Sequence, residues 1–271
     1  MQTAAPIGLY DSGLGGLSVA REVFRQLPEE AIAYIGDTAR VPYGGRSVEE
    51  LLSFNREILG ILLDQGVKAV VVACNTSSAI ALPVLDAECP VPILGLIEAG
   101  ARAAATEGRR IGVIATEATI RSRAHLRAIE ALEQPCQVFP LACPKLVPMI
   151  EAGIWEGPEA EATVYESLAP LLDAKLDTLI FGCTHYPFLR KVIAGILGDG
   201  VRLVDPAEEA VRALGDILAA NELLATERKA PHRIMVSGDP VDFLHSAKRL
   251  LGEVIDRVEG IQVKEALPLA R

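Results

Sequence analysis

The sequence is poor in aromatic residues, at 4% of 271 positions, and has no long hydrophobic run. Platforms that stack single-stranded nucleic acid need several aromatic side chains, so this scarcity disfavours that function. The longest apolar run, Ala69–Cys74, is far shorter than the roughly 20 residues that span a bilayer. The start, Met1–Asp11, lacks the cationic and apolar segments of a secretory signal. We therefore expect a soluble, cytoplasmic protein with no membrane partner.

Positive charge is also scarce, because 26 Lys and Arg face 36 Asp and Glu, for a formal net charge of −10. Nucleic acids and anionic membranes attract dense cationic faces, so nucleic acid is not an expected partner. The five cysteines are odd in number and include no C-x-x-C pair, which argues against a disulfide framework and a structural zinc site. We expect no metal.

Short apolar segments alternate with longer amphipathic ones, which predicts an α/β fold with mostly parallel sheets. Strands are predicted over Ile7–Tyr10, Ala31–Ile35, Ala69–Ala73, Ile111–Ala115, Val138–Leu141, Thr178–Phe181 and Arg233–Val236. Helices are predicted over Leu17–Leu27, from Ser47 to about Gln65, over Asn75–Leu85, from Thr119 through Glu130, and over Ala207–Ala219 and Val241–Leu251. Ser47 and Glu50 have the spacing of a capping box.

Three short echoes indicate that the second half of the chain repeats the first. They pair Ile7-Gly8 with Ile111-Gly112, Val41-Pro42 with Val147-Pro148, and Cys74 with Cys183. Chance is the alternative for the two common dipeptides, and the cysteine echo is the most specific. The echoes predict two pseudo-symmetric domains, each a mostly parallel sheet flanked by helices, with the active site in the cleft between them. We predict that residues 1–97 and 207–271 form one discontinuous domain and residues 98–206 the other.

Cys74 and Cys183 each follow a predicted strand and precede two polar residues, Asn75-Thr76 and Thr184-His185. Ligands of open α/β sheets bind beyond the carboxyl ends of strands. A helix N-terminus at that place is expected to lower the pKa of Cys74. A single free cysteine is more often a small buried hydrophobe, but two in matching positions favour chemistry. Cys89, Cys136 and Cys143 are expected to be ordinary thiols.

Two further features surround the cysteines. His185 can polarise a thiol, as in a Cys–His hydrolase, although that class leaves Cys74 unexplained. The turn Asp11-Ser12-Gly13-Leu14-Gly15-Gly16 can present N–H groups to an anion. The turn does not have the G-x-G-x-x-G spacing of dinucleotide-binding proteins, which argues against NAD. It also lacks the Lys of a nucleotide-binding P-loop. Asp11 could accept a hydrogen bond from a substrate ammonium or orient Cys74 as a base, with an Asx turn or N-cap as the alternative.

Two thiols on opposing halves suit the inversion of a stereocentre. One group removes the α-hydrogen of an amino acid, and the other returns a proton to the opposite face. A reference pKa near 8.5 lets a thiol serve as acid or base close to neutrality. Such a reaction needs no cofactor.

The sequence resembles the glutamate racemases of the aspartate/glutamate racemase superfamily over almost its whole length. The matching stretches are Ile7–Gly16, Gly36–Ser47, Ala73–Ala79, Gly112–Ile120 and Asp177–Pro187. The resemblance implies cofactor-independent conversion of L-glutamate to D-glutamate for peptidoglycan, and hence cell-wall biogenesis and cell shape. It also implies a homodimer. Because the first predicted strand begins close to Met1, we expect no N-terminal extension of the kind that some members use to bind a cell-wall precursor as activator.

The resemblance further implies roles for particular residues. Cys74 and Cys183 would be the two acid/base groups, assisted by Asp11 and His185 respectively. The residues that would line the substrate site are Asp11, Ser12, Tyr43, Gly44, Asn75, Thr76, Thr184 and His185. Four others match family segments and would tune the site or bind a carboxylate: Asp37, Thr116, Thr119 and Glu151.

Two departures from the family pattern, at Ile97–Gly100 and Val204–Ala210, fall near the predicted domain joins. Two alternatives stay open. One is a related racemase or decarboxylase acting on aspartate, a hydantoin or a malonate. The other is an amino-acid-binding or inhibitory protein, for example toward DNA gyrase, although such a protein would not need two thiols.

Overall fold

The computed structural model describes residues 2–264 of the chain. The strands are β1 (Ile7–Asp11), β2 (Ile32–Gly36), β3 (Ala69–Val72), β4 (Ile93–Gly95), β5 (Arg110–Ala115), β6 (Gln137–Ala142), β7 (Thr178–Gly182), β8 (Arg202–Val204), β9 (Arg233–Val236) and β10 (Glu259–Gly260). Six of them form a first sheet in the order β10-β9-β2-β1-β3-β4, and four form a second in the order β6-β5-β7-β8. Every neighbouring pair is parallel.

Helices connect and cover the strands of both sheets. They are α1 (Leu17–Gln26), α2 (Val48–Asp64), α3 (Asn75–Ile80), α4 (Leu82–Leu85), α5 (Ile97–Ala105), α6 (Glu117–Ser122), α7 (Ala124–Glu130), α8 (Leu146–Glu151), α9 (Pro158–Leu168), α10 (Arg190–Leu197), α11 (Pro206–Ala220) and α12 (Pro240–Leu251). Within residues 2–264, none of the helices is long and apolar enough to cross a membrane.

The two sheets share one topology, as the sequence echoes predict. The order β2-β1-β3-β4 in the first sheet corresponds to β6-β5-β7-β8 in the second. Cys74 therefore follows β3, and Cys183 follows the equivalent strand β7. This confirms a pseudo-symmetric α/β fold with two parallel sheets. The domain limits at residues 97 and 206 stay a prediction.

The first sheet is buried on both faces, which explains its nearly continuous apolar strands. Alternate residues of a strand point to opposite faces. In β3, Val71 joins an apolar cluster with α1 and α11, while Val70 joins another with α2. The strands are thereby held rigidly, and the loops at their carboxyl ends have a fixed base.

Among the predicted helices, the one that begins at the Ser47 capping box is confirmed. Ser47 Oγ accepts from Glu50 N at 3.2 Å and Glu50 accepts from Ser47 N at 2.9 Å, which confirms the capping box before α2. The single helix predicted after Thr119 is wrong. It is broken between α6 and α7, because Arg123 adopts a left-handed conformation with φ of 56°. The helix predicted over Asn75–Leu85 also divides, into α3 and α4.

Candidate active site

A cavity of about 220 Å³ lies at the carboxyl ends of the strands, between loops of the two sheets. It receives residues that follow β1, β2 and β3 of the first sheet and β5, β6 and β7 of the second. The lining residues are Ser12, Val41, Pro42, Tyr43, Gly44, Gly45, Cys74, Asn75, Thr76, Thr116, Glu117, Cys143, Pro144, Val147, Pro148, Cys183, Thr184 and His185. The repeated topology thus brings both thiols to one cavity.

The predicted site residues divide into two groups. Ten of them line the cavity: Ser12, Tyr43, Gly44, Cys74, Asn75, Thr76, Thr116, Cys183, Thr184 and His185. Four lie behind lining residues and hydrogen-bond to them: Asp11, Asp37, Thr119 and Glu151. The structure therefore gathers all fourteen in one place.

Cys183 begins a three-residue relay. Its Sγ lies 3.6 Å from His185 Nδ1, and His185 Nε2 lies 2.5 Å from Glu151 Oε1. Burial disfavours a charged imidazole, but the contacts with Cys183 and with the Glu151 carboxylate raise the pKa of His185 well above its usual value. Burial likewise opposes the charge of Glu151, yet the His185 contact keeps the pKa of that carboxyl lowered. His185 is thus held as a cation that can donate to Cys183.

Cys74 is in a different electrostatic environment. It is the N-cap of α3, and its Sγ lies 3.8 Å from Ser12 Oγ. Burial, reinforced by the nearby Asp11 carboxylate, raises the pKa of Cys74 to about 11, although hydrogen bonds from Ser77 work in the opposite direction. The predicted lowering of this pKa is therefore wrong, because desolvation outweighs the end of a six-residue helix.

Asp11 joins the two halves of the site. Its Oδ1 accepts a hydrogen bond from Thr184 Oγ1 at 3.1 Å, and its Oδ2 accepts one from Gly13 N at 2.9 Å. Leu14 N points toward Glu151 Oε1 at 3.4 Å. The N–H groups of Gly13 and Leu14 are thus occupied by carboxylates of the protein itself, and the anion-binding role of the turn as a whole stays a prediction.

Three threonine hydroxyls form a closed triangle at the cavity wall, to which Thr76 and Thr116 belong. Thr76 Oγ1 lies 3.0 Å from Thr116 Oγ1 and 3.1 Å from Thr119 Oγ1, and the last two are 2.9 Å apart. Thr76 belongs to α3 and the other two to the start of α6, so the triangle joins the two halves. Each hydroxyl has one proton, so the closed triangle uses all three donors, and a hydroxyl must turn out of the triangle to donate to a ligand carboxylate.

Asn75, which precedes Thr76 in the chain, lines the same cavity and is buried at 3% exposure. Among residues 2–264, neither its Nδ2 nor its Oδ1 has a hydrogen-bond partner. A buried amide without partners costs free energy unless a ligand satisfies it. The side chain of Asn75 is therefore available to bind a ligand in the cavity.

Sequence reasoning missed part of the lining, notably Cys143, Pro144, Val147 and Glu117. Cys143 was expected to be an ordinary thiol, but it borders the cavity, and burial raises its pKa to about 12. The echo of Val41-Pro42 in Val147-Pro148 contained the signal, since both pairs follow equivalent strands and line the cavity. Glu117 gave no sequence signal.

No Lys or Arg is among the described lining residues, so His185 supplies the positive charge.

The fold is a pair of α/β units with parallel sheets of the same strand order, and each unit contributes one thiol to a shared cavity. The profile of the family described as Asp/Glu/Hydantoin racemase matches residues 13–214. A glutamate racemase of Gloeobacter violaceus is 51% identical over 241 residues, which cover 89% of this chain and 90% of that protein. The chain therefore belongs to the Asp/Glu/Hydantoin racemase family and is an amino-acid racemase.

Solved structures agree with this assignment. Glutamate racemase from Francisella tularensis, in complex with D-glutamate, matches with a TM-score of 0.90 and 36% identity, covering 96% of this chain and 98% of that one. A glutamate racemase isoform from Bacillus anthracis matches with a TM-score of 0.88 and 40% identity, covering 96% and 97% of the two chains. The two-sheet fold is thus that of the family.

Proposed function

We propose that this chain interconverts L- and D-glutamate without a cofactor, with one cysteine acting on each face of Cα. The observation that carries the proposal is the placement of Cys74 and Cys183 after equivalent strands and on the same cavity. The curated relatives at about half identity are glutamate racemases, which supports glutamate over other amino acids as the substrate.

Neutral donors hold the two carboxylates of the substrate in this proposal. One set follows the strands of the first sheet: the Ser12 hydroxyl, the Gly44 N–H and the Asn75 amide. The other consists of the hydroxyls of Thr76, Thr116 and Thr184, which turn from their present partners in the protein to donate to the ligand. Because the described lining contains no Lys or Arg, the substrate's ammonium is not repelled by a neighbouring cation other than His185. Hydrogen bonds from many neutral groups can stabilise a carboxylate in a buried site.

The two thiols begin the reaction in different roles, one as acid and the other as base. Cys74 keeps its proton because burial and Asp11 raise its pKa to about 11. Cys183 is the base, because His185 Nδ1 lies 3.6 Å from its Sγ and can donate a hydrogen bond to it. The Cα–H bond breaks as an S–H bond forms on Cys183, and the Cys74 S–H proton passes to the opposite face of Cα. The reverse direction exchanges the two roles.

Asp11 and Glu151 act through other groups. Asp11, held by Thr184 and Gly13, favours the neutral form of Cys74, so a Cys74 thiolate formed by proton transfer to Cα is a strong base in the reverse direction. Glu151 keeps His185 charged and oriented toward Cys183. The two cysteines thus have different neighbours. This difference suits a reaction in which one cysteine starts as the acid and the other as the base.

The proposal is tested by incubating the purified protein with L-glutamate in heavy water. We expect the optical rotation to decay, as measured by polarimetry. Over the same period deuterium should replace the α-hydrogen, as measured by proton NMR. Cys74→Ser and Cys183→Ser should each reduce turnover by about 10³-fold or more, since each removes one of two essential groups. Cys89→Ser, which lies outside the cavity, is the matched control and should retain turnover.

Two results would contradict the proposal. A folded protein that exchanges no α-hydrogen of either glutamate enantiomer would exclude racemisation of this substrate. Normal turnover by either serine variant would exclude the two-base assignment. Parallel assays with L-aspartate separate a racemase of the shorter substrate, because the reaction chemistry is the same and only the side-chain length differs.

We also propose the cellular setting that this reaction implies. D-glutamate made in the cytoplasm would enter peptidoglycan precursors, and the protein would act there as a homodimer. Sedimentation velocity of the purified protein tests the dimer, and rescue of a D-glutamate-requiring bacterium tests the supply of the D-enantiomer.

A further inference from the structure

A buried ion pair lies directly behind the cavity wall. Arg40 is 1% exposed and Asp37 fully buried, and Arg40 Nε donates to Asp37 Oδ2 at 2.6 Å. The same carboxylate oxygen accepts a very short hydrogen bond from the Tyr43 hydroxyl. Because Tyr43 lines the cavity, two hydrogen bonds connect the buried guanidinium to the cavity wall.

The guanidinium of Arg40 is fixed by two further contacts. Its Nη1 donates to Glu57 Oε2 at 2.7 Å. Its Cζ lies over the Phe54 ring, 4.3 Å from the ring centroid, and that centroid lies 5.8 Å from the centroid of the Tyr43 ring. A planar guanidinium can make both directed hydrogen bonds and the stacking contact, whereas a lysine ammonium cannot.

Asp37 is likewise held from several sides. Ser237 Oγ, which follows β9, donates to Asp37 Oδ1 at 2.7 Å, so both carboxylate oxygens have donors. Burial and the adjacent Asp37 carboxylate raise the pKa of Tyr43 well above its usual value. The Tyr43 phenol therefore keeps its proton and donates to Asp37, which fixes the direction of the hydroxyl.

Stability alone does not explain this network. Replacing a buried ion pair by well-packed apolar residues is often neutral or stabilising, so such pairs are weak evidence for a role in stability. This one lies against the cavity, and its last member forms part of the wall. An orienting role accounts for the position.

We propose that Arg40 is a positioning residue, which fixes the ring and hydroxyl of Tyr43 in the cavity wall through Asp37. Its kinetic consequence rests on the proposed racemisation of glutamate, whereas its geometric consequence does not. The two consequences therefore call for two separate measurements.

The geometric measurement is ¹⁹F NMR of protein labelled with 3-fluorotyrosine, which gives one resonance for each of the five tyrosines. The Tyr43 resonance is identified by its loss in Tyr43→Phe. We expect Arg40→Lys to shift or broaden that resonance and to leave the other four unchanged. Asp37→Asn, which retains the side-chain shape, should affect the same resonance. Arg56→Lys, at an exposed ion pair with Glu88, is the control and should affect none.

An unchanged Tyr43 resonance in a folded Arg40→Lys protein would overturn the inference. Shifts of all five resonances would overturn it as well, because they would indicate general loosening of the fold. Neither outcome depends on activity, so they are distinguishable from failure of the proposed function.

The kinetic measurement is a double-mutant cycle. We expect Arg40→Lys to raise the KM for glutamate by about 10-fold and to change kcat less, since a small displacement of a wall residue weakens substrate positioning. In the Tyr43→Phe background the same change should add less than about 2-fold, because residues that act through one contact are not additive. Full additivity would overturn the inference. A wild-type protein that does not racemise glutamate would instead overturn the proposed function and leave the NMR result to decide the role of Arg40.

Discussion

Gly15 packs against His185 so closely that no side chain fits between them. A Cβ placed on Gly15 would lie 2.6 Å from His185 Nδ1 and closer still to Thr184 Oγ1. A Cβ on Gly13 would lie 2.7 Å from Glu151 Oε1. The glycine turn after β1 thus packs directly against His185 and Glu151 of the second half. Its glycines are needed because a larger residue would not leave room for these side chains.

Gly15→Ala should therefore impair the relay more than the fold. The added methyl must push His185 or the turn aside, and a displacement near 1 Å in an active site costs about 10²-fold in rate. We expect kcat/KM to fall by about that factor, measured from the decay of the glutamate optical signal.

Gly60→Ala is the matched control for this prediction. Gly60 lies within α2, and a methyl group added there would have nothing within 4 Å, so alanine should stabilise the helix by about 0.5–1 kcal/mol. Wild-type kinetics in Gly15→Ala would contradict the close packing.

Glu151→Gln should change the pH dependence of the reaction. The carboxylate helps to raise the pKa of His185, so its loss lowers that pKa and the imidazolium disappears at a lower pH. The alkaline limb of kcat/KM should move to lower pH, and turnover near neutrality should fall by about 10-fold or more. A pH–rate profile measures both effects.

Glu166→Gln removes a carboxylate of equal size from an exposed ion pair with Lys145 and should leave the profile unchanged. If the Glu151→Gln profile coincides with that of the wild type, His185 does not depend on Glu151 for its charge. Loss of activity without any shift of the limb would indicate disrupted packing instead.

The sequence sufficed to predict which residues form the site, but not the direction in which the pKa of Cys74 is shifted. Residue types at strand ends and the echo of Cys74 in Cys183 sufficed to bring the site residues together, because parallel strands end at one edge of a sheet. The pKa of Cys74 was predicted in the wrong direction, because the burial of its sulfur and the nearness of Asp11 arise from packing between distant segments.

The fold shows the same division. Strands with buried central runs and the capped helix α2 are local patterns and were predicted. The break at Arg123 and the two- or three-residue strands β4, β8 and β10 were not. Such short strands contain too few residues for a period to be detected, and their conformation depends on the neighbouring strand with which each pairs.

Glu117→Gln should improve the binding of an anionic substrate. Glu117 lies at the exposed start of α6 and borders a cavity without Lys or Arg in its described lining. Its negative charge repels a substrate with two carboxylates, in a protein that already has a formal net charge of −10. We expect the KM for glutamate to fall by about 2- to 5-fold at low salt, and the difference to shrink as salt screens the charge.

Kinetics at low and high ionic strength test this prediction. Glu107→Gln, an acidic residue that does not border the cavity, is the control. A KM that rises in Glu117→Gln would indicate that the carboxylate instead contacts the substrate ammonium.

Lys68→Met should destabilise the protein without altering the chemistry. Lys68 Nζ lies 2.6 Å from Glu30 Oε2 and donates to the carbonyls of Thr3 and Leu223 at 2.8 and 2.7 Å. Lys68 and Glu30 have side-chain exposures of 1% and 2%. Removing the cation leaves Glu30 buried and uncompensated, which costs about 3–5 kcal/mol. Urea denaturation should show a lower midpoint, with kcat unchanged below the transition.

Two further variants separate the buried charge from the loss of any ion pair. Lys145→Met breaks a pair whose partners are 61% and 68% exposed, so it should cost less than about 1 kcal/mol. Combining Lys68→Met with Glu30→Gln removes the stranded charge and should recover part of the loss, since the penalty comes from the unpaired carboxylate. A double variant as unstable as Lys68→Met alone would mean that the hydrogen bonds to Thr3 and Leu223, which hold the N-terminal segment and the turn after α11 against the sheet, supply the stability.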